Sequence, residues 1–376
     1  SYTSGTYVLP VQTPAFITDT LYARFRLSDN AGEATEPTGL AASGEAEDYV
    51  LMSLGNAIWL DNGQGGGIPD NGKLDGSEAG IPGVTVTLYI SGAVVGVDLP
   101  LATTTTDAAG HYVFNGLQPG DYFVHIPSEN FATPDAPLYA HLSSTDGATT
   151  ADPNTNNNET VDENGIDDAD PATNGITSGP ISLAIGAEPT DDGNGASGNL
   201  TLDFGFVAYD FGDLPADYPT QLVDDGARHV ATADLYFGNT VDIEQNGQPD
   251  ANALGDDSNG TVADEDGIVF MTPLMPNTTA TISVTAYVTP GLTAYYGAFI
   301  DFNGDGDFGD VGEIVTGTVV NGENTISLTV PGVVSDTLYS RFRLSTDPAA
   351  VGSATGLAPD GEVEDYAIYI DDYCLS

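Results

Sequence analysis

Oxygen-bearing side chains alternate along residues 301–313, and their spacing could hold a calcium ion. Calcium takes about six to eight oxygen ligands, and a glycine such as Gly306 permits the sharp turn that points them inward. The segment departs from the usual calcium loop at its end, where Gly312 precedes the closing carboxylate of Glu313. The alternative is a solvated acidic turn. The predicted ligands are Asp301, Asn303, Asp305, Asp307, Asp310 and Glu313.

Two further regions are crowded with acidic and amide side chains. Each could cage a cation, and each could equally be an exposed loop that keeps the chain soluble. The first comprises Asp152, Asn154, Asn156, Asn158, Asp162, Glu163, Asn164, Asp167, Asp168 and Asp170, and the second comprises Asp256, Asp257, Asn259, Asp264, Glu265 and Asp266.

The charge balance excludes two classes of partner. The chain has 56 acidic and 6 basic side chains, which gives a formal charge of −50. A polyanion of this strength is repelled by nucleic acid and by anionic membrane surfaces. Because 40% of the residues are hydrophobic, we expect folded domains with acidic surfaces that bound cations relieve, not a disordered chain. No apolar run has the length needed to insert into a membrane.

The sequence contains no recognisable catalytic motif. Its four histidines lack HExxH spacing and cysteine partners, and no nucleophile elbow, P-loop or dinucleotide fingerprint occurs. Nothing singles out a pair of acids for glycoside hydrolysis. Cys374 is the only cysteine, so it can form no intrachain disulfide; it is either incidental or a link between two chains. We therefore predict that the chain is not an enzyme.

The elements that must position these loops are β-strands. Apolar and polar residues alternate with a period of two along 84–89, 122–126, 280–288 and 325–330. Strands with one wet face, separated by Gly, Asp, Asn and Pro turns, are typical of antiparallel β-sandwiches. The predicted fold class is all-β, with tandem immunoglobulin-like or prealbumin-like sandwich modules arranged in a rod.

A repeated segment defines the domain organisation. TLYARFRLS at 20–28 returns as TLYSRFRLS at 337–345, and GEAEDY at 44–49 returns as GEVEDY at 361–366, an offset of 337 − 20 = 317. We divide the chain into the rear part of a domain (1–52), a different module (53–207), a complete copy of the first domain (208–371) and a tail (372–376). The missing front part would come from upstream in the same polypeptide or from a neighbouring subunit, which predicts an end-to-end fibre.

Four of the six basic residues belong to this repeat. Strand alternation places Arg341 and Arg343 on one face of their strand, and Glu362 and Glu364 on one face of theirs. We predict that the arginines lie opposite the glutamates in a structural ladder, as would Arg24 and Arg26 in the first copy.

The second block resembles a known family. GNAIWLD (55–61), GIPGVTVTLY (80–89), TTTDAAGHYVFNGLQPGDYFVHI (104–126) and DFGFV (203–207) are similar to the serine-aspartate-repeat B-type (SdrD B-like) module of bacterial surface proteins. The resemblance implies a calcium site formed by Asp61, Asn71, Asp75 and Glu78. About six residues around 63–69 are inserted after Asp61, so Asp70 is an alternative first ligand.

The third block resembles the GEVEDY-type domain. The matching motifs are YDFGDLPADY (209–218), DDGARH (224–229), FIDFNGDGDFGDVGE (299–313) and GEVEDY itself. Together the two resemblances imply a secreted or cell-surface protein of tandem modules without catalytic activity.

Three functions follow from these observations. The first is an extracellular structural protein, a surface stalk or fibre stabilised by calcium, whose partners are its own copies or neighbouring modules end to end. The second is an adhesin or glycan-binding region with a surface or glycan ligand. The third is the accessory region of an enzyme whose catalytic domain lies elsewhere.

Overall fold

A computed structural model of the chain describes residues 21–144, 163–193, 195–255, 258 and 264–370. The predicted all-β class is confirmed: apart from short 3-10 turns, the helical residues in these ranges are the four of α1 (Pro171–Asn174) together with Gly255 and Ser258. No helix in them is long and apolar enough to cross a membrane. The candidate cation residues 152–162, 256, 257 and 259, and the cysteine at 374, lie outside the described residues.

Twenty-two strands are described, numbered here in chain order. The first two are β1 (Leu21–Leu27) and β2 (Glu45–Leu60). Those of the middle block are β3 (Thr85–Ile90), β4 (Ala102–Thr105), β5 (His111–Leu117), β6 (Gly120–Ile126), β7 (His141–Ser143), β8 (Gly165–Ile166), β9 (Ile176–Ser178), β10 (Ile181–Leu183), β11 (Gly198–Asn199) and β12 (Phe204–Phe211). Those of the last block are β13 (Arg228–Val230), β14 (Leu235–Phe237), β15 (Ile268–Phe270), β16 (Thr279–Val288), β17 (Ala294–Asp301), β18 (Ile314–Val319), β19 (Gly322–Thr329), β20 (Thr337–Ser345), β21 (Leu357–Ala358) and β22 (Glu362–Tyr369).

The middle block is a sandwich of two sheets. One sheet has the order β4-β3-β6-β9-β8, with β10 on β6. Strands β5, β11 and β12 pair with β2 in the facing sheet, which also receives β7. Alternate side chains of these strands point inward and bury one apolar core that contains Ile58, Phe204 and Phe206. This core positions the loop that begins directly after β2.

The last block is a second sandwich with its own core. Strands β14, β16, β15 and β19 form one sheet, and β18, β17, β20 and β22 form the other. The eight-residue register of β16 on β19 keeps Ile282 and Ile326 facing each other, as the period-two pattern predicts. Both face inward toward Phe342 of β20 in the shared core.

Single strands cross the two boundaries between blocks. Strand β2 pairs with β1 through residues 45–51 and with β5 through residues 52–57. Strand β12 pairs with β2 and β7 through residues 204–208, and with β13 through residues 209–211. A small core at the second boundary adds apolar contacts between Leu142 and Val207 of the middle block and Phe211 and Val230 of the last. The modules therefore abut without a linker.

The two copies of the repeat differ in burial. Phe342 and Leu344 of the complete copy are 1% and 0% exposed, whereas their counterparts Phe25 and Leu27 are 44% and 63% exposed. In the complete copy this face of the strand packs on the sheet that contains β16. No described element covers β1 in the same way.

The predicted Arg–Glu ladder is wrong in register. Strand β20 lies antiparallel to β22 with Arg341 opposite Asp365, so Glu362 and Glu364 point to the other side of their strand. The guanidinium of Arg341 forms two hydrogen bonds of 2.8 Å with the Asp365 carboxylate, and both side chains are fully buried. Gly212 is required beside them, because a Cβ there would lie 2.4 Å from Asp365 Oδ2.

Arg343 has a different role from the one predicted. Its Nε donates to His229 Nε2 at 2.9 Å, and its two terminal nitrogens donate to carbonyl oxygens of residues 228 and 350–356. Burial and the charge of Arg343 lower the pKa of His229 well below its usual value, which keeps the ring neutral as an acceptor. Arg343 therefore holds a loop in place and pairs with no glutamate.

Candidate metal centres

The loop 301–313 connects two paired strands instead of two helices. Strands β17 and β18 are antiparallel, with Phe299 opposite Ile314, and Ile300 N donates to Glu313 O at 2.9 Å. This pairing closes the loop at its base and places Asp301 beside Glu313. Gly304 and Gly306 have φ of 73° and 92°, the left-handed conformation that glycine adopts freely.

The two acids at the base of the loop are buried and held by backbone donors. Asp301 Oδ1 accepts from Gly304 N at 2.7 Å, and Oδ2 accepts from Gly306 N at 3.0 Å. The Glu313 carboxylate accepts from the backbone N–H groups of Phe302 and Asp310 at 3.0 and 3.1 Å. Burial, followed by the charges of Asp301 and Asp310, raises the pKa of Glu313. These carboxylates are therefore fixed close to one another.

In the exposed part of the loop, the side chain of Asn303 contacts two acids. Its amide nitrogen donates to Asp305 Oδ2 at 3.0 Å and to Asp310 Oδ2 at 2.6 Å. Asp307 instead turns its Oδ1 onto Gly309 N at 2.6 Å. Hydrogen bonds thus connect Asn303 with Asp305 and Asp310, and Asp310 with Glu313, whereas Asp307 lies in a local turn. No three carboxylates of residues 301–313 lie within 4.8 Å of one another.

The second predicted site follows β2 in the middle block. Asp61 is fully buried; its Oδ2 accepts from Gly72 N at 2.7 Å, while its Oδ1 makes no hydrogen bond. Burial raises the pKa of Asp61 to about 7, and the negative charges of Glu78 and Asp70 contribute to the rise. A buried carboxylate oxygen without a donor is costly, and a cation bound between these acids would satisfy it.

The inserted residues fold back and do not separate Asp61 from the other acids. Asp70 N donates to Asp61 O at 3.3 Å, and Glu78 Oε1 accepts from Gly63 N at 2.8 Å. Asp61 therefore lies near both Asp70 and Glu78, and the structure does not force a choice between Asp61 and Asp70 as the first ligand. The remaining predicted ligands join the same turn, since Asn71 Nδ2 donates to Asp75 Oδ2 at 3.2 Å.

Both loops have the donor set that calcium prefers. Each offers several carboxylate oxygens and one Asn oxygen on a turn stabilised by backbone N–H groups, and hard cations take oxygen ligands of this kind. A bound calcium would supply positive charge, and Asp61, Asp70, Asn71, Asp75 and Glu78 would hold it in the first loop. In the second loop Asp301, Asn303, Asp305, Asp310 and Glu313 would do so.

Several acids of the broader predicted regions serve local structure. Glu163 Oε1 accepts from Ser143 Oγ and Gly165 N, and Asp170 caps α1 by accepting from Thr173 N. Asp266 accepts from the backbone and side chain of Asn239. For these residues the structure describes a role without a cation.

Sequence reasoning missed a third group of acids. Within the described ranges, one trio of carboxylates has oxygens that all lie within 4.8 Å of one another: Asp210, Asp242 and Asp264. Asp210 and Asp264 stand in segments that the sequence had already singled out. The signal for Asp242 was the alternation in Val-Asp-Ile-Glu (241–244), which places Asp242 and Glu244 on one side of an extended segment.

Comparisons with known proteins agree with this architecture. The SdrD B-like domain model matches residues 52–164, and the GEVED domain model matches residues 295–369. The chain is 33% identical over 189 residues to serine-aspartate repeat-containing protein F of Staphylococcus epidermidis (strain ATCC 12228 / FDA PCI 1200), covering 48% of this chain and 10% of that protein.

Two further relatives come from Staphylococcus aureus. Serine-aspartate repeat-containing protein C (strain N315) is 35% identical over 136 residues, covering 32% of this chain and 12% of that protein. Bone sialoprotein-binding protein (strain MRSA252) is 32% identical over 134 residues, covering 32% of this chain and 10% of that protein. The chain spans about a tenth of the length of these relatives. It therefore contains an SdrD B-like domain followed by a GEVED domain, and its homologues are serine-aspartate repeat proteins.

Proposed function

We propose that this chain is a non-catalytic structural segment of an extracellular surface protein. In it, calcium ions stabilise β-sandwich modules in series, and the series serves as a stalk or an end-to-end fibre. The observation that carries the proposal is that β2 and β12 run without interruption from one module into the next. Bending at either boundary would break strand hydrogen bonds, so this chain transmits position and force better than a flexible linker would.

The calcium loop of the middle module also contacts the next module. Tyr209 of β12 donates its hydroxyl to Asp70 Oδ2 at 2.6 Å. The Arg228 guanidinium lies 6.0 Å from the centre of the same tyrosine ring. A cation that orders Asp70 would therefore also order the boundary between the two modules. Calcium binding would in this way make the boundary stiffer.

Small-angle scattering of the chain in calcium and in chelator tests the proposal. With calcium we expect an elongated particle of constant maximum dimension, and in chelator a broader distribution of dimensions. Electron microscopy of native material, with mass analysis of its denatured chain, checks whether the modules continue end to end. A compact particle whose scattering ignores calcium would contradict the proposal.

The module boundary gives a mutational prediction. Tyr209→Phe removes the hydroxyl that Asp70 accepts and should lower the free energy of unfolding by about 1.5–3 kcal/mol, the range for hydrogen bonds to charged groups. Chemical denaturation measures the change. Tyr287→Phe, on the surface of β16, is the control that should change nothing. Equal stability of the two variants would mean that the Tyr209 hydroxyl does not support the boundary.

A glycan ligand is the second candidate, and one surface feature favours it. Tyr236 of β14 and Tyr287 of β16 are cross-strand partners whose rings stack at 4.8 Å and 18°. Tyr287 is 38% exposed, and Tyr236 borders a recess that Asn239 and Thr240 also line. Aromatic rings beside amide and hydroxyl groups give an apolar surface with a few polar anchors.

A glycan array probed with the chain tests this candidate. Binding that is lost in the double variant Tyr236→Ala, Tyr287→Ala, and kept in Tyr295→Ala, would support an adhesive role. An array without signal would leave the structural role as the function.

A further inference from the structure

Five acidic side chains meet inside the last module and form what we call the buried acid cluster: Asp210, Asp242, Glu244, Asp264 and Glu362. They come from β12, from the segment that follows β14, from the segment before β15 and from β22. None is more than 5% exposed. Buried charges in proteins are normally paired or coordinate metals, so the cluster requires an explanation.

The spacing of the cluster suits a calcium ion. Oxygens of Asp210, Asp242 and Asp264 lie within 4.8 Å of one another. Calcium–oxygen distances are about 2.3–2.6 Å, so ligands on opposite sides of the ion are about 4.6–5.2 Å apart. Three carboxylates inside this limit can reach one ion without movement of the backbone.

Backbone N–H groups fix one side of four of the five carboxylates. Asp210 Oδ2 accepts from Val363 N at 2.6 Å, and Asp264 Oδ2 accepts from Asp242 N at 2.8 Å. Glu244 Oε2 accepts from Phe211 N at 3.0 Å. Glu362 Oε2 accepts from Phe237 N in the same way. This is how ligating carboxylates are held in preformed metal sites, where second partners orient the ligand.

Three buried oxygens of the cluster receive no hydrogen bond from an N–H group or a hydroxyl of the described residues: Asp242 Oδ2, Glu244 Oε1 and Glu362 Oε1. They belong to the same group, because burial, direct contact with the Asp242 carboxyl and the charge of Asp210 raise the pKa of Glu244. Burial and the charges of Glu364, Asp210 and Asp264 likewise raise the pKa of Glu362. Buried oxygens without donors, inside a ring of negative charge, are the second indication of a cation.

Arginine does not occupy this place. Arg343 is close enough to interact with the charge of Asp210, yet its guanidinium donates hydrogen bonds to His229 and to backbone carbonyls. Arg341 is bound to Asp365. The donors that could satisfy Asp242, Glu244 and Glu362 are thus not supplied by these two side chains.

We propose that the buried acid cluster is a calcium site, with Asp210, Asp242 and Asp264 as ligands and with Glu244 and Glu362 completing the oxygen shell. The site is separate from the loops at 61–78 and 301–313 and does not depend on them. Calcium fits better than magnesium, because magnesium retains several waters and the carboxylates of the cluster are buried. A bound ion would join β12, which crosses the module boundary, to β22 at the end of the same module.

Counting bound calcium tests the site. Native mass spectrometry of the chain with calcium should show one ion fewer in the double variant Asp242→Asn, Glu244→Gln than in the parent chain. The replacements keep side-chain shape and remove charge, so the melting temperature of the variant should fall relative to the parent in calcium and rise relative to it in chelator. Glu323→Gln, an exposed acid of β19, is the matched control and should change neither quantity.

The outcomes separate this site from the proposed function. A variant that keeps every calcium of the parent, and that is at least as stable in calcium, would overturn the site while the two loop sites stand. A parent chain that binds no calcium would overturn both. Should the variant fail to fold, crystals of the parent chain grown in calcium decide the matter, because an anomalous scattering peak must lie between Asp210, Asp242 and Asp264.

Discussion

Removal of calcium should lower the melting temperature of this chain substantially, and millimolar calcium should raise it. The reason is linkage: a ligand that binds only the folded state adds about 2.7 kcal/mol of stability per site at a hundredfold excess over its Kd. A chain with a formal charge of −50 and buried carboxylates at Asp61 and Glu313 also loses repulsion when a cation binds. Differential scanning calorimetry in calcium and in chelator measures the effect.

Charge screening is the competing explanation for such a result. Sodium chloride at matched ionic strength screens repulsion between exposed charges without filling a site, so it should reproduce only a small part of the rise. The variants Asp61→Asn and Glu313→Gln should each reduce the response to calcium. Equal melting temperatures in calcium and in chelator would end the calcium hypothesis for both loops.

Arg341→Ala should be the most destabilising single change in the last module. It leaves the Asp365 carboxylate buried without its guanidinium partner, and breaking a buried pair in this way typically costs about 3–5 kcal/mol. Arg341 also donates to the carbonyls of Pro219 and Ala354 at 2.9 Å, so these segments lose support as well. Chemical denaturation of the parent, Arg341→Ala, Asp365→Ala and the double variant gives the coupling energy, which should be large because the two side chains touch.

The first copy of the repeat provides the matched control. Arg24 binds Asp48 with the same two-pronged geometry, at 2.6 Å, but both side chains are exposed. Water already solvates this pair, so Arg24→Ala should leave the stability of the chain unchanged. Equal losses from Arg24→Ala and Arg341→Ala would contradict the claim that burial makes the pair important. Arg343→Ala and Glu364→Ala should be additive, since the structure places them in different networks.

The sequence by itself determined the type of element and the position of the loops. Alternation along 280–288 predicted β16, and the confirmed all-β class follows because a period of two buries one face of a strand. The glycine at position 306 predicted a sharp turn, and in the structure this residue has a positive φ. These are local properties, fixed by side-chain alternation and by backbone sterics within a few residues.

The sequence did not predict the register in which the strands pair. The ladder prediction identified the correct two strands and the wrong partners, because a shift of one residue moves every side chain to the other face. Only the pairing of β20 with β22 decides that Arg341 meets Asp365 and that Glu362 lies near Asp210 and Asp264. The cluster itself draws on segments more than 150 residues apart, which no local pattern connects.

Burial was decided by the tertiary structure as well. The repeat keeps the same arginines and the same carbonyl acceptors in both copies: Arg26 donates to residues 36, 38 and 39, and Arg343 to residues 353, 355 and 356. The repeated sequence therefore determines the local fold of both copies. Whether that fold lies in water or in a core depends on what packs against it, and residues 209–301 provide that cover for the second copy alone among the described elements.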